Sequence, residues 1–285
     1  MSASEGLLGS VAARKGARRV SICLPCRNEQ ETVGIVVAAL KAETMDSIGL
    51  VDELIVIDDG STDETAARAA AAGARVVPIS EVHRRFGEGA GKGNVLWASL
   101  LVSEGDFVVW LDADVTTATP EWVAQLLEPL LDDPRVALVK ASYERPTDSG
   151  GGGRTTELVV RPLLSLLAPQ LSWIDQPLAG EMAVRRDLIE TIPLAQGWGV
   201  EIAMILDLAE RYGAASIAQV HLGVRRHRHR DLMDLRVQAA EVMATLLGRL
   251  GIATAEPDPQ LRLPDGTPLA LNLDERPPAA LARNA

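Results

Sequence analysis

The sequence predicts an α/β protein built on a mostly parallel central sheet with helices on both faces. Three observations predict it. Five short apolar segments, at 20–24, 53–58, 75–79, 106–115 and 136–140, alternate with segments of helical character, which is the pattern of successive βαβ units. These segments are apolar throughout instead of alternating with polar residues, as strands covered on both faces are. Polar and acidic residues gather where the apolar runs end, at the strand C-termini where open α/β sheets bind ligands.

Residues 1–18 are small and polar with a basic end and read as a flexible arm. Val20-Ser-Ile-Cys-Leu24 is the first strand, and 29–41 has helical character. The second strand, 53–58, runs into Asp58-Asp-Gly-Ser-Thr-Asp63, whose side chains suit the N-cap of an Ala-rich helix over 64–72. Gly73 stops that helix and 75–79 is the third strand. A glycine-rich loop, Gly87-Glu-Gly-Ala-Gly-Lys-Gly93, precedes a helix over 94–103. The fourth strand carries Asp112 and Asp114, Pro120 suits the first turn of the next helix, and 136–140 completes a first half over 19–145. A second half, 146–252, is mixed: after Ser149-Gly-Gly-Gly-Gly153 come helices at 156–167 and 200–212 and strand-like pieces at 181–184 and 217–224. It closes on an amphipathic helix over 232–250, with Leu232, Leu235, Val242, Leu246 and Leu250 as its apolar positions. From 253 to 285, and above all past Glu256, prolines and polar residues predict an extended or disordered tail. No internal repeat is visible.

At 285 residues and 47% hydrophobic content, the chain can bury one large core. No apolar run is long enough to span a bilayer, and the first residues lack the pattern of a signal peptide, so the expected location is the cytoplasm. The net charge of −11 argues against broad nucleic-acid binding. Cys23-Leu-Pro-Cys26 matches a C-x-x-C spacing. Its first cysteine, however, lies inside a strand, and no second pair exists to complete a zinc site. One basic island, Arg225-Arg-His-Arg-His-Arg230, stands out on an acidic chain. A solvated surface run is the default reading of such a cluster; here it also suits an anionic small molecule.

Asp112 and Asp114 are two apart on a strand, and side chains so spaced share a face. Paired carboxylates repel and are expensive to desolvate, and a hard divalent cation that also grips phosphates resolves that cost. The turns after the first two strands face the same crevice and suit a base and ribose. Lys92 follows a glycine-rich stretch, but Phe86 and Gly93 break the G-x-x-x-x-G-K-[ST] pattern at both ends. A lysine beside a helix N-terminus still meets phosphate by charge and backbone donors. The absence of G-x-G-x-x-G after the first strand disfavours a dinucleotide enzyme. A neutral imidazole would complete a carboxylate metal site; by composition His227 and His229 serve equally.

These residues resemble a known family. Pro25-Cys-Arg-Asn-Glu29, Asp58-Asp-Gly-Ser-Thr-Asp63 and Asp112-Ala-Asp114 look like a nucleotide-sugar glycosyltransferase of the Rossmann-like GT-A fold. Gly91-Lys-Gly93, Gly151-Gly-Gly-Arg-Thr-Thr-Glu-Leu158, Gln176-Pro-Leu-Ala-Gly-Glu181, Gly197-Trp-Gly-Val-Glu201 and Gln219-Val-His-Leu-Gly-Val-Arg-Arg-His227 resemble the glucosyl-3-phosphoglycerate synthases. The resemblance spans about residues 20–250; mannosyl-3-phosphoglycerate synthases are near neighbours. It implies that 19–145 binds the nucleotide sugar and 146–252 the acceptor. Pro25, Arg27, Asn28, Glu29, Asp59, Gly60, Lys92, Asp112 and Ala113 would surround the donor. Asp112, Asp114 and His227 would hold Mg²⁺ or Mn²⁺. Gly153, Arg154, Thr155, Thr156, His229 and Arg230 would receive 3-phosphoglycerate, with Leu178 and Glu201 on the sugar side.

Three positions depart from the family pattern: His229 where asparagine is expected, Trp198 where tyrosine is common, and Asp59 where serine is common. The reading is a retaining hexosyltransferase using an NDP-glucose, UDP-glucose favoured, and acting as a homodimer. Its rivals are the same reaction with GDP-mannose and a noncatalytic nucleotide-sugar sensor. A polyprenyl-phosphate transferase ranks below both, lacking a membrane anchor. Transfer on one face of the sugar is expected, with Glu201 orienting the sugar and Asp114 serving the leaving group through the metal.

Overall fold

The structure, a computed structural model, describes residues 3–144, 153–225 and 232–283. Its strands are β1 Val20–Cys26, β2 Glu53–Asp58, β3 Arg75–Pro78, β4 Phe107–Trp110, β5 Leu138–Glu144, β6 Met182–Arg185, β7 Leu194–Ala195, β8 Ile217–Val224, β9 Gln260–Arg262, β10 Pro268–Ala270 and β11 Glu275–Arg276. Its helices are α1 Ala3–Lys15, α2 Val33–Leu40, α3 Thr65–Ala71, α4 Ile79–Phe86, α5 Lys92–Val102, α6 Pro120–Asp132, α7 Arg161–Leu167, α8 Arg186–Ile189, α9 Val200–Tyr212, α10 Leu235–Arg249 and α11 Ala279–Arg283.

The central sheet has the order β3-β2-β1-β4-β6-β5-β8. β1, β2, β3 and β4 run parallel, as do β5 and β8, while β6 is antiparallel to both its neighbours. Successive residues of the central strands feed opposite cores. Cys23, Ile55, Val108 and Trp110 face one layer, and Ile22, Leu24, Val56 and Val109 the other. Both layers are buried, which is why these strands read as continuous apolar runs. Cys23 and Cys26 are free and buried, and burial pushes the Cys23 thiol up to about 12, which leaves no reactive thiolate.

Three expectations are corrected. Residues 3–15 form a helix where a flexible arm was expected. Leu8 and Val11 are fully buried, Arg14 pairs with Glu128 and Asp132 of α6, and Lys15 Nζ sits 2.6 Å from Asp52. The chain after 253 is folded onto the body: β9 and β10 form a hairpin, β11 pairs with β7, and Ala279 and Ala282 of α11 join the core. The fourth strand ends at Trp110, so Asp112 and Asp114 lie in the turn beyond it. Their proximity comes from that turn, in which Val115 N–H bonds back to Asp112 O, and strand periodicity does not account for it.

Candidate active site

A cleft of about 480 Å³ opens over the C-terminal ends of β1, β2 and β4. Pro25, Arg27, Glu29, Asp59, Lys92, Asp112, Ala113 and Asp114 line it together with Trp198. Of the donor residues expected from the sequence, Asn28 and Gly60 stand behind this wall. Asn28 has φ +57°, a conformation that asparagine tolerates better than most residues. Its Oδ1 accepts the Thr62 N–H at 2.9 Å and its own N–H donates to Ser61 Oγ at 3.0 Å. Asn28 thus ties the first turn to the second. Asp59 Oδ2 lies 3.7 Å from Arg27 Nη1; burial raises its carboxyl despite that cation.

Under the cleft the charges form a chain. Lys92 opens α5 after Gly91 (φ +88°) and reaches Asp112 Oδ1 at 3.1 Å and Glu201 Oε1 at 2.9 Å. Arg225 Nη2 holds Asp112 Oδ2 at 2.8 Å, its Nε holds Glu181 Oε1 at 2.8 Å, and Asp114 Oδ1 is 4.0 Å away. Burial alone would raise the Asp112 carboxyl, but Lys92 and Arg225 overcome it and hold that carboxyl well below the ordinary range. Asp114 goes the other way, raised by burial and then by the charge of Asp112. Gly180 completes the packing: a Cβ there would collide with the Asp112 carboxylate and come within 2.6 Å of Lys92 Nζ.

The two aspartates therefore differ. Asp112 is neutralised within the protein, whereas Asp114 is a desolvated carboxylate short of positive charge. The buried Glu181 Oε2 also has no hydrogen-bond partner. A hard divalent cation at Asp114 fits this donor set. Among the described residues no three metal-ligating side chains cluster, and His227, the expected third ligand, lies outside them. So do Arg226, Arg228, His229 and Arg230, and with them the acceptor contacts expected of the last two. The remaining acceptor residues sit at the entry to a π-helical turn, Thr156–Val160. Gly153 has φ +82°, Glu157 N–H bonds to Gly153 O at 2.9 Å, and Thr155 and Thr156 are buried. Arg154 stands between Gly153 and Thr155, partly exposed. Leu178 packs on the core that contains Val200 and Ile202.

Lys140 is a further charged residue beneath the site, and its only sequence signal is a lysine closing the apolar strand Val136-Ala-Leu-Val-Lys140. It is fully buried, donates to Ala179 O and lies 3.6 Å from Met182 Sδ. Burial, partly offset by Glu201, brings its ammonium down to about 8 from 10.5. Between those two values the unfolded chain binds a proton that the folded chain does not, so folding stability rises with pH across that window. Relative to Lys140→Met, the native protein should gain about 3 kcal/mol between pH 8 and pH 10.5. Urea titrations of both proteins at the two ends of the window measure it, and parallel profiles would contradict the assignment.

The sheet order and the cleft over its strand ends are those of a glycosyltransferase of the GT-A fold. The model of glycosyl transferase family 2 matches residues 21–192. The chain is similar to the glucosyl-3-phosphoglycerate synthase of Mycolicibacterium smegmatis, with 45% identity over 97% of this chain and 94% of that one. The synthase of Petrotoga mobilis is 43% identical over 81% of this chain and 73% of its own. The crystal structure of the Mycobacterium tuberculosis synthase with Mn²⁺, UDP-glucose and phosphoglyceric acid superposes with a TM-score of 0.88 at 42% identity, covering 97% of this chain and 95% of that one. The chain belongs to glycosyl transferase family 2 and, within it, to the glucosyl-3-phosphoglycerate synthases.

Proposed function

We propose that the protein transfers glucose from UDP-glucose to 3-phosphoglycerate with retention of anomeric configuration. The observation that carries the donor half is the undercompensated Asp114 beside Lys92, in a cleft of nucleotide size over the strand ends. Asp112, Asp114 and His227 would hold a Mg²⁺ or Mn²⁺ ion, which would stabilise charge on the departing diphosphate. Lys92, 3.1 Å from Asp112, adds a second positive charge beside the aspartates.

The bond between the anomeric carbon and the diphosphate oxygen breaks, and the only free hydroxyl of 3-phosphoglycerate attacks from the same face. Its proton passes to the departing diphosphate. Double displacement would require Glu201 as nucleophile, but that carboxylate is buried and held by Lys92 at 2.9 Å. Glu201 serves instead to orient the sugar, with Leu178 beside it. Gly153, Arg154, Thr155 and Thr156, with His229 and Arg230, take the acceptor. An arginine fork after glycine amides suits a group bearing both phosphate and carboxylate.

Arg154→Ala should raise the KM for 3-phosphoglycerate on the order of 10- to 100-fold, the value of one or two charge-assisted bonds, and leave UDP affinity unchanged. Steady-state kinetics and calorimetry measure the two effects. Equal losses in both would remove Arg154 from the acceptor site. A protein that binds UDP-glucose yet transfers to nothing would be the sensor instead.

The cytoplasm is the proposed location; among the described residues no helix is long and apolar enough to cross a membrane. A homodimer is proposed as well. Exposed Leu158, Leu166 and Trp173 offer apolar surface for it.

A further inference from the structure

The glycine-rich loop before Lys92 has the composition of a mobile phosphate cradle, yet the structure gives its glycines a different reason. A Cβ on Gly89 would collide with the Arg276 guanidinium, and one on Gly91 would come within 2.7 Å of Gln196 O. The loop is small because another part of the chain lies directly upon it. That part is the C-terminal segment, reaching the loop partly through β7.

The contacts are specific. Arg276 donates to Phe86 O at 3.1 Å, to Gly87 O at 2.9 Å and to Asn94 Oδ1 at 2.8 Å. Asn272 Nδ2 donates to Ala90 O at 2.8 Å. Ala90 N–H in turn bonds to Gln196 Oε1 at 3.1 Å, and Gln196 N–H to Asp274 O at 2.8 Å. Both ends of the loop, and its middle, are thus fixed from residues more than 180 positions away.

Arg276 is only 6% exposed, stacked over Trp97 with its guanidinium 4.8 Å from the ring centroid. Every acceptor it has among the described residues is neutral. A desolvated cation without a counter-charge is costly, and an apolar side chain would fill the space more cheaply. What the guanidinium supplies is geometry: three rigid donors that set two loop carbonyls and the first turn of α5.

We propose that residues 272–276 are a positioning strap of the donor site, with Arg276 and Asn272 fixing the loop so that Lys92 enters the cleft at the diphosphate. Neither residue touches the reacting atoms. The inference rests on Lys92 meeting the donor, and its test separates the two ideas.

In the full-length protein, Arg276→Met and Asn272→Ala should each weaken UDP binding in the presence of Mn²⁺ and raise the KM for UDP-glucose about tenfold, equivalent to about 1.4 kcal/mol. The KM for 3-phosphoglycerate should stay within twofold. Hydrogen exchange at the amides of 87–91 should accelerate in both variants. A general structural role would move both KM values together or lower kcat alone with the loop still protected, and either result overturns the strap. If Arg276→Met fails to fold, Asn272→Ala decides, since it removes one side-chain amide near the surface. If the native protein bound no UDP, the donor reading would fall. Exchange would still judge the strap, and unchanged loop protection would overturn it.

Discussion

Asp114→Asn should reduce transfer by about a thousandfold, the scale of several kcal/mol of metal-borne charge stabilisation, while the protein melts at a higher temperature than the native chain. The two effects have opposite signs for one reason. The Asp114 carboxyl is raised in the fold by burial and by the charge of Asp112, so near neutral pH its ionised form opposes folding. The neutral amide relieves that opposition and forfeits the metal. Activity assays across a Mn²⁺ titration and thermal melts without metal measure the pair of outcomes. A variant that lost activity and stability together would show that Asp114 is a structural residue.

Lys92→Met should fail in the contrary way, losing function and stability at once. Its ammonium is the shared partner of Asp112 and Glu201, and its side chain is only 16% exposed. Removing one member of a buried ion pair leaves its partners uncompensated, at a cost of about 3–5 kcal/mol. UDP affinity should fall about a hundredfold as the diphosphate loses its cation. Lys92→Arg should recover most of the stability but little of the affinity, because a planar fork cannot take the place of a compact ammonium. Urea titration and calorimetry separate these. Native UDP affinity in Lys92→Met would remove Lys92 from the donor site.

Most of the sheet was legible in the sequence because strands buried on both faces have to be apolar throughout, and helices between them leave polar turns at one edge. The cleft was legible for the same reason: Pro25 stands in the last residues of β1, and Asp59, Lys92 and Asp112 belong to turns or helix starts along that edge. The strap was not legible. Past the local β9–β10 hairpin, the order of 271–276 comes from pairing with β7 and from Arg276 reaching the loop before α5. The N-terminal helix escaped for a related reason: its few apolar residues, Leu8 and Val11, are anchored by α6 over a hundred residues away. Arg225 was seen as one of a basic run, when its role follows from Glu181 and Asp112 converging on it. Only the fold brings those carboxylates together.

The most direct test of the account is the identity of the product. Incubating the protein with Mg²⁺, 3-phosphoglycerate and UDP-glucose, with GDP-glucose and GDP-mannose in parallel, and analysing the product by mass and anomeric NMR addresses donor, acceptor and stereochemistry together. The expected product is an O-glucoside on the single hydroxyl of 3-phosphoglycerate, formed from UDP-glucose in preference to the others and keeping the donor's anomeric configuration. An inverted product, a preference for GDP-mannose, or bound donor without transfer would contradict it.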